Sequence, residues 1–348
     1  MSAPGGAGSG AGGTALGDSR RMVAGAGGRT GATRQPSTRG AARRASPFEH
    51  RAAEVACVGI MVLWAANFVV VKSTIPVLTP VGYAFLRFGI AGLVLLGICR
   101  WREGSISIPR HEILPLAGLG VLGFGLYQAL WSTALASTSV GNSALLIGAT
   151  PVFTALVAAA LGVDTLTWIK ALGAGVAFIG VGVIAAGHGL RLDSAAGGDL
   201  MTLVAAFSWA AYASLGAGVL RRFTPLRATA WTITFGTVFL APLGLVQLAG
   251  ADLGAVGPGQ IAALLYSGLL SSALGNVVVF WGISLLGPTR ITNLQFLPPA
   301  LAIVFAAVFL GDPILGTQVV GGLIIVAGVM LARRDRLPRM RRTGIGAT

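Results

Sequence analysis

Residues Pro299–Gly328 read "PALAIVFAAVFLGDPILGTQVVGGLIIVAG". Nearly all of this suits lipid, yet a proline opens it and one carboxylate, Asp312, interrupts it. Pro151–Gly180 reads "PVFTALVAAALGVDTLTWIKALGAGVAFIG" and keeps the same frame. Pro151, Asp164, Gly173 and Gly180 map onto Pro299, Asp312, Gly321 and Gly328 with one constant shift of 148 positions. The same shift carries Gly120 onto Gly268 and Gln128 onto Asn276. Further upstream, "LTPVGYAFLRFG" from Leu78 resembles "FTPLRATAWTITFG" from Phe223 more loosely. The chain therefore reads as two copies of one unit.

What kind of unit follows from composition. The chain has 348 residues, 54% hydrophobic and only 10% charged, against about a quarter charged in soluble domains. A membrane helix needs about 20 mainly apolar residues. Hydropathy places ten such spans, at 56–75, 80–99, 114–133, 142–162, 169–187, 200–220, 229–249, 260–284, 291–310 and 317–333. Lys and Arg accumulate in cytoplasmic loops. With the N-terminus inside, 22 of the 25 basic residues fall on the cytoplasmic side; Lys72 and Arg191 lie outside, and Arg87 lies within a span. The expectation is an all-α, multi-pass protein of the plasma membrane with both termini cytoplasmic.

The halves run 54–189 and 199–334, five spans each. An odd number of spans forces the second half to lie upside down relative to the first, and inverted repeats mark secondary transporters. Asp164 and Asp312 then become loop residues at span ends, on opposite sides of the membrane. Residues 1–53 hold eight arginines among small and polar residues and read as a disordered basic tail. Next to a membrane domain, its partner is an anionic lipid surface and not nucleic acid. Residues 335–348 form a second basic tail. Cys57 and Cys99 lack metal-ligand spacing and read as packing residues; the chain implies no metal and no cofactor.

At this point the sequence resembles the drug/metabolite transporter superfamily, in its EamA-like ten-helix branch. The likeness rests on "LWAANFVVVK" at Leu63–Lys72, on "TPVGYAFLRFGIAG" at Thr79–Gly92, and on the two copies of proline, apolar run, Gly/Asp and glycine-bearing helix. That family often has Glu where Asp164 and Asp312 stand. The resemblance implies export or exchange of small metabolites by alternating access, with no enzymatic reaction.

Residues fit to meet a substrate are few. Pro151 and Pro299 fall inside spans four and nine, where each removes a backbone hydrogen bond and bends its helix; the freed carbonyl then faces protein or a wet cavity, so the bends either face a central cavity or are packing kinks with no ligand contact. Arg87 either snorkels to the outer headgroups or faces a cavity and pairs with a carboxylate or phosphate. Gln128 and Asn276 share helix faces with Trp131 and Phe280 respectively, and Trp64 with Asn67 forms a similar pair on span one. These amides either contact substrate or hold helices together. Asn293 and Gln295 suit gating, and Lys72 reads as a snorkelling anchor.

No span centre carries Asp or Glu. The four-helix multidrug exporters of the superfamily use an embedded Glu for proton-coupled cation exchange, so that chemistry is disfavoured. The rival readings are a non-transporting membrane scaffold and a lipid-active membrane enzyme; the second would need a polar catalytic cluster that the sequence does not display. The composition sets no oligomeric state.

Overall fold

A computed structural model describes residues 46–162, 165–187, 194–220, 222–286, 291 and 294–334. Regular structure among these is entirely helical. Seven segments are long and apolar enough to cross a membrane, from Pro47–Leu78 to Pro258–Val279, and two shorter apolar helices follow, Leu297–Leu310 and Gly316–Ala332.

The first helix, α1 (Pro47–Leu78), starts inside the stretch read from sequence as tail. Ser46 Oγ accepts from the Glu49 N–H at 3.2 Å, and Glu49 Oε2 accepts from the Ser46 N–H at 2.7 Å. This reciprocal cap satisfies two donors that a helix start otherwise leaves open, so residues 47–53 are helix. The tail reading misses the "SPFE" signature. Helix α2 (Pro80–Glu103) follows after Thr79 alone.

Helix α3 (Arg110–Gly120) runs through a π-helical stretch, Val121–Leu126, into α4 (Tyr127–Ser137). Later, α10 (Pro258–Leu265) runs through Tyr266–Leu274, also π-helical, into α11 (Gly275–Leu286). The two wide stretches end at Leu126 and Leu274, the same 148 positions apart as the sequence repeat. Extra residues in a turn re-aim the side chains that follow, and such stretches concentrate at functional sites.

Helices α5 (Val140–Ile147) and α6 (Thr150–Ala160) are separated by a break at Gly148–Ala149. Here the expectation of an interior proline kink needs correcting. Pro151 occupies the first turn of α6, and Pro298 the first turn of α12 (Leu297–Leu310), with Pro299 directly after it. First-turn N–H groups have no intrahelical partner, so proline costs little there. The helix is interrupted just before both prolines, at Gly148–Ala149 and at Gln295–Phe296, and each lies in the first turn of the helix that follows.

The remaining helices are α7 (Trp168–Ala186), α8 (Ser194–Leu220), α9 (Pro225–Ala249) and α13 (Gly316–Arg334). Packing is interlaced: α2 lies along α9 and the second π-helical stretch, α4 along α8, and α1 along α11 and α12. Helices α7 and α13 cross antiparallel at backbone contact. A Cβ on Gly173 would sit 2.6 Å from the Gly328 carbonyl oxygen, and one on Gly180 would sit 2.6 Å from that of Gly321. The repeat shift converts the first contact into the second: Gly173 becomes Gly321, and Gly180 becomes Gly328. A contact that maps onto itself in this way is what a two-fold relation between partners produces. Only small residues allow such an approach between membrane helices.

The crossing gives a test with internal controls. Gly173→Leu and Gly180→Leu should each destabilise the purified protein by about 1–3 kcal/mol or more, read as early loss of the monodisperse peak on heating in detergent. At Gly175 and Gly182 an added Cβ would have nothing within 4 Å; leucine there should leave the melting profile within a few degrees of wild type.

Candidate functional site

A cavity of about 540 Å³ lies among the helices. Its wall brings together six of the seven binding candidates picked from sequence, Trp64, Asn67, Arg87, Gln128, Trp131 and Asn276, and both prolines, Pro151 and Pro299. The seventh, Phe280, belongs to α11, but its side chain lies outside the described residues. Gln295 also reaches the cavity; Asn293 and Asp164 lie outside the described residues.

Arg87 is the eighth of the 24 residues of α2 and is only 2% exposed, so it does not snorkel. One terminal NH2 donates to Gln128 Oε1 at 2.5 Å. The guanidinium carbon lies 4.6 Å from the Phe88 ring centre and 5.5 Å from that of Trp131, distances at which ring faces attract a cation. Its Nε is buried without a hydrogen-bond partner. Among the described residues no carboxylate pairs with it. Insertion scales charge about 2.5–3.5 kcal/mol for a cation at a helix centre, so an arginine with one neutral partner and an open cavity beside it is a costly arrangement.

The other polar walls are tied into the bundle. Trp64 Nε1 donates to the Ser271 carbonyl at 2.9 Å, and Trp131 Nε1 to Ser143 Oγ at 3.1 Å. Asn67 Oδ1 accepts from Ser267 Oγ at 2.5 Å, and Tyr83 Oη donates to the same Ser267 at 2.6 Å. Asn276 Nδ2 donates to the Ser272 carbonyl at 2.6 Å.

Sequence reasoning missed an aromatic wall. Trp209 and Tyr212 on α8 pack against Phe124 and Tyr127 in the cavity wall, with ring centres 5.2–5.9 Å apart. The signal was present: Phe124, Tyr127 and Trp131 recur at helical spacing, as do Trp209 and Tyr212. Lys170, at the very start of the 169–187 span and counted among the basic residues of the cytoplasmic side, also lines the cavity; its Nζ donates to the Thr165 carbonyl at 2.8 Å. No Asp or Glu lies among the described lining residues. Nor does any group of three or more His, Cys, Asp or Glu among the described residues make a metal site.

Lys170, Gly216, Ala228 and Ala332 carry the cavity toward one end of the bundle. The opposite helix ends are joined by a buried polar cluster. Asp199, 4% exposed near the start of α8, accepts from Thr138 Oγ1 and from Asn142 Nδ2, the latter at 3.1 Å. Gln318 Nε2 on α13 donates to Asn142 Oδ1 at 2.8 Å. Lys72 donates to the carbonyls of Leu135 and Thr138 at 2.6 and 2.9 Å, closing the end of α4. It is therefore a helix cap within the protein, correcting the anchor reading. Hydropathy starts its span one position after Asp199 and so leaves that residue in a loop; α8 in fact begins at Ser194.

The pattern of the EamA-like transporter family matches this chain twice, over residues 51–186 and 196–334. A probable terminal-alkyne amino-acid exporter of Streptantibioticus cattleyicolor is 32% identical over 289 residues, 82% of this chain and 95% of that one. An uncharacterized transporter of Archaeoglobus fulgidus is 30% identical over 273 residues, 78% of this chain and 93% of that one. A probable amino-acid metabolite efflux pump of Salmonella typhimurium is 26% identical over 283 residues, 78% and 91% of the respective chains. A crystal structure superposes with a TM-score of 0.54 at 18% identity, covering 83% of this chain and 99% of that one, which establishes a shared fold. Two matches of one pattern, spanning most of the chain, settle the assignment: this protein belongs to the EamA-like transporter family.

Proposed function

We propose that the protein is a secondary transporter that exports or exchanges small metabolites carrying a carboxylate or phosphate. The observation that carries this is Arg87, a buried guanidinium that meets a central cavity with no carboxylate partner among the described residues. An anionic group on a substrate would supply the missing charge, with paired donors suited to two oxygens. The aromatic wall would cover the substrate's apolar part, the usual composition of small-molecule sites. The relatives named for amino-acid export agree with a carboxylate substrate. A scaffold would gain nothing from holding such a charge beside an empty space.

The mechanism proposed is alternating access between two inverted five-helix halves, 54–189 and 199–334, in a ten-helix plasma-membrane protein with cytoplasmic termini. Support comes from the self-mapping Gly173–Gly328 and Gly180–Gly321 contacts and from the π-helical stretches at matched positions. Basic residues mark the end toward which the cavity leads as cytoplasmic. The Asp199 cluster then closes the outer end, joining Thr138 and Asn142 of one half to Asp199 and Gln318 of the other.

Two experiments test this. Cells expressing the wild type should accumulate a carboxylate or phosphate compound in the medium, and Arg87→Ala at matched protein level should lower that accumulation at least tenfold; equal accumulation would remove the anion-pairing role. For the outer closure, Ala144→Cys places a thiol on the cavity wall, while native Cys57 and Cys99 are buried. A membrane-impermeant maleimide should reach position 144 mainly from the cytoplasmic side. Adding Asp199→Ala should raise labelling from outside severalfold, and no change would discard the cluster as a closure.

A further inference from the structure

Four side-chain amides, Asn67, Gln128, Asn276 and Gln295, share the cavity wall with Arg87, and the bundle fixes the sense of Gln128 and Asn276. Gln128 must turn its oxygen to Arg87, which has only donors, so its NH2 is left for the cavity. Asn67 turns its oxygen to Ser267 Oγ, which also meets Tyr83 Oη, a hydroxyl shared with the Ala263 carbonyl; in that arrangement the Asn67 NH2 is left. Asn276 is the reverse. One N–H of its NH2 donates to the Ser272 carbonyl, a group that only accepts, so its own oxygen Oδ1 is left unengaged beside the second N–H. The indole N–H groups of Trp64 and Trp131 are already used. Among Asn67, Gln128 and Asn276, then, Asn276 is the one whose side-chain oxygen is not engaged by the bundle.

Donors suit an anionic group; Asn276 Oδ1 does not, since a carboxylate facing it would place oxygen against oxygen. Building on the anion-transport reading above, we infer that Asn276 is a specificity-determining residue that reads a second group on the substrate, a hydrogen-bond donor carried apart from the anionic end. The substrate class is a hydroxy or amino carboxylate, and plain carboxylates of the same shape are discriminated against. The physical cause is the partner lost when a ligand displaces water from Oδ1 without replacing its hydrogen bond. Because Oδ1 is neutral and no carboxylate lies among the described lining residues, the stronger hydrogen bond of an ammonium is offset by its desolvation, and an O–H serves the same role. This separates the site from one built around a charged amine.

Binding to the purified full chain is readable through tryptophan emission, since Trp64, Trp131 and Trp209 line the cavity. The probes are two pairs, 2-hydroxy-4-methylpentanoate with 4-methylpentanoate, and 4-hydroxyphenylacetate with phenylacetate, together with leucine and the uncharged 4-methylpentanamide. In the wild type the hydroxylated member of at least one pair should bind about tenfold more tightly than its partner, with leucine no more than threefold tighter than its hydroxy analogue. Asn276→Leu should bring that pair within twofold while keeping the affinity for the plain acid; Asn276→Ala gives the same comparison should the leucine variant not fold. Pairs equal in the wild type, a preference that survives both variants, a tenfold advantage for leucine over the hydroxy acid, or no binding by any probe would each overturn the role of Asn276. The anion reading fails separately, by 4-methylpentanamide binding as tightly as 4-methylpentanoate.

Discussion

Backbone contact between α7 and α13 is the constraint on which the arrangement of the bundle depends. Gly173, Gly180, Gly321 and Gly328 leave no room for a single methyl at the crossing, so the two helices meet main chain to main chain. In lipid, apolar side chains gain little by leaving one apolar environment for another, and close packing has to supply the attraction. The same device recurs where Gly120 meets the Thr232 carbonyl and where Gly268 meets that of Arg87. These approaches hold elements of one proposed half against elements of the other, which lets a cavity persist between them without the bundle collapsing onto it.

That cavity concentrates what the membrane makes expensive. Polar groups out of water need partners within the protein, and the structure supplies them almost everywhere: indoles to a carbonyl and a serine, Asn67 to Ser267, Lys72 to the end of α4. Arg87 stands out because its partners, one amide oxygen and a set of ring faces, are all neutral. A charge left in that condition next to open volume has its electrostatic complement in whatever enters. The π-helical stretches belong to the same logic. Each ends two residues before its amide, Gln128 or Asn276, so the widened turns help set where both amides point.

The polar cluster around Asp199 shows how an acidic residue is kept at a helix start near the membrane boundary. Thr138 and Asn142 donate to it, and Gln318 continues the chain of hydrogen bonds to α13. Groups joined in this way come apart together, since losing one donor leaves a buried acceptor unsatisfied. A cluster of this kind opens or shuts as a unit, which suits the alternating access proposed above.

Much was legible in the sequence because the signals were local or periodic. Apolar length gave the helices, the 148-residue shift gave the repeat, and rare polar residues in apolar runs pointed to Asn67, Arg87, Gln128 and Asn276, all of which the structure brings to one cavity. Aromatic spacing at Trp209 and Tyr212 is equally local, as is the capping signature at Ser46, and both were missed although nothing distant hides them. Other features depended on partners far away in the chain. Whether Arg87 met lipid or a cavity, which atom of each amide was left over, and whether Lys72 reached headgroups or the end of α4 were decided by the neighbours that packing supplied. Asp199 and Lys170 lay at span edges, where hydropathy averages over a window and blurs the boundary between loop and wall. Sequence alone determined what this chain could bury in a membrane, because transfer from water is set residue by residue. The tertiary structure decided what the buried polar groups could still do, because a hydrogen bond is fixed only when both partners and their directions are in place.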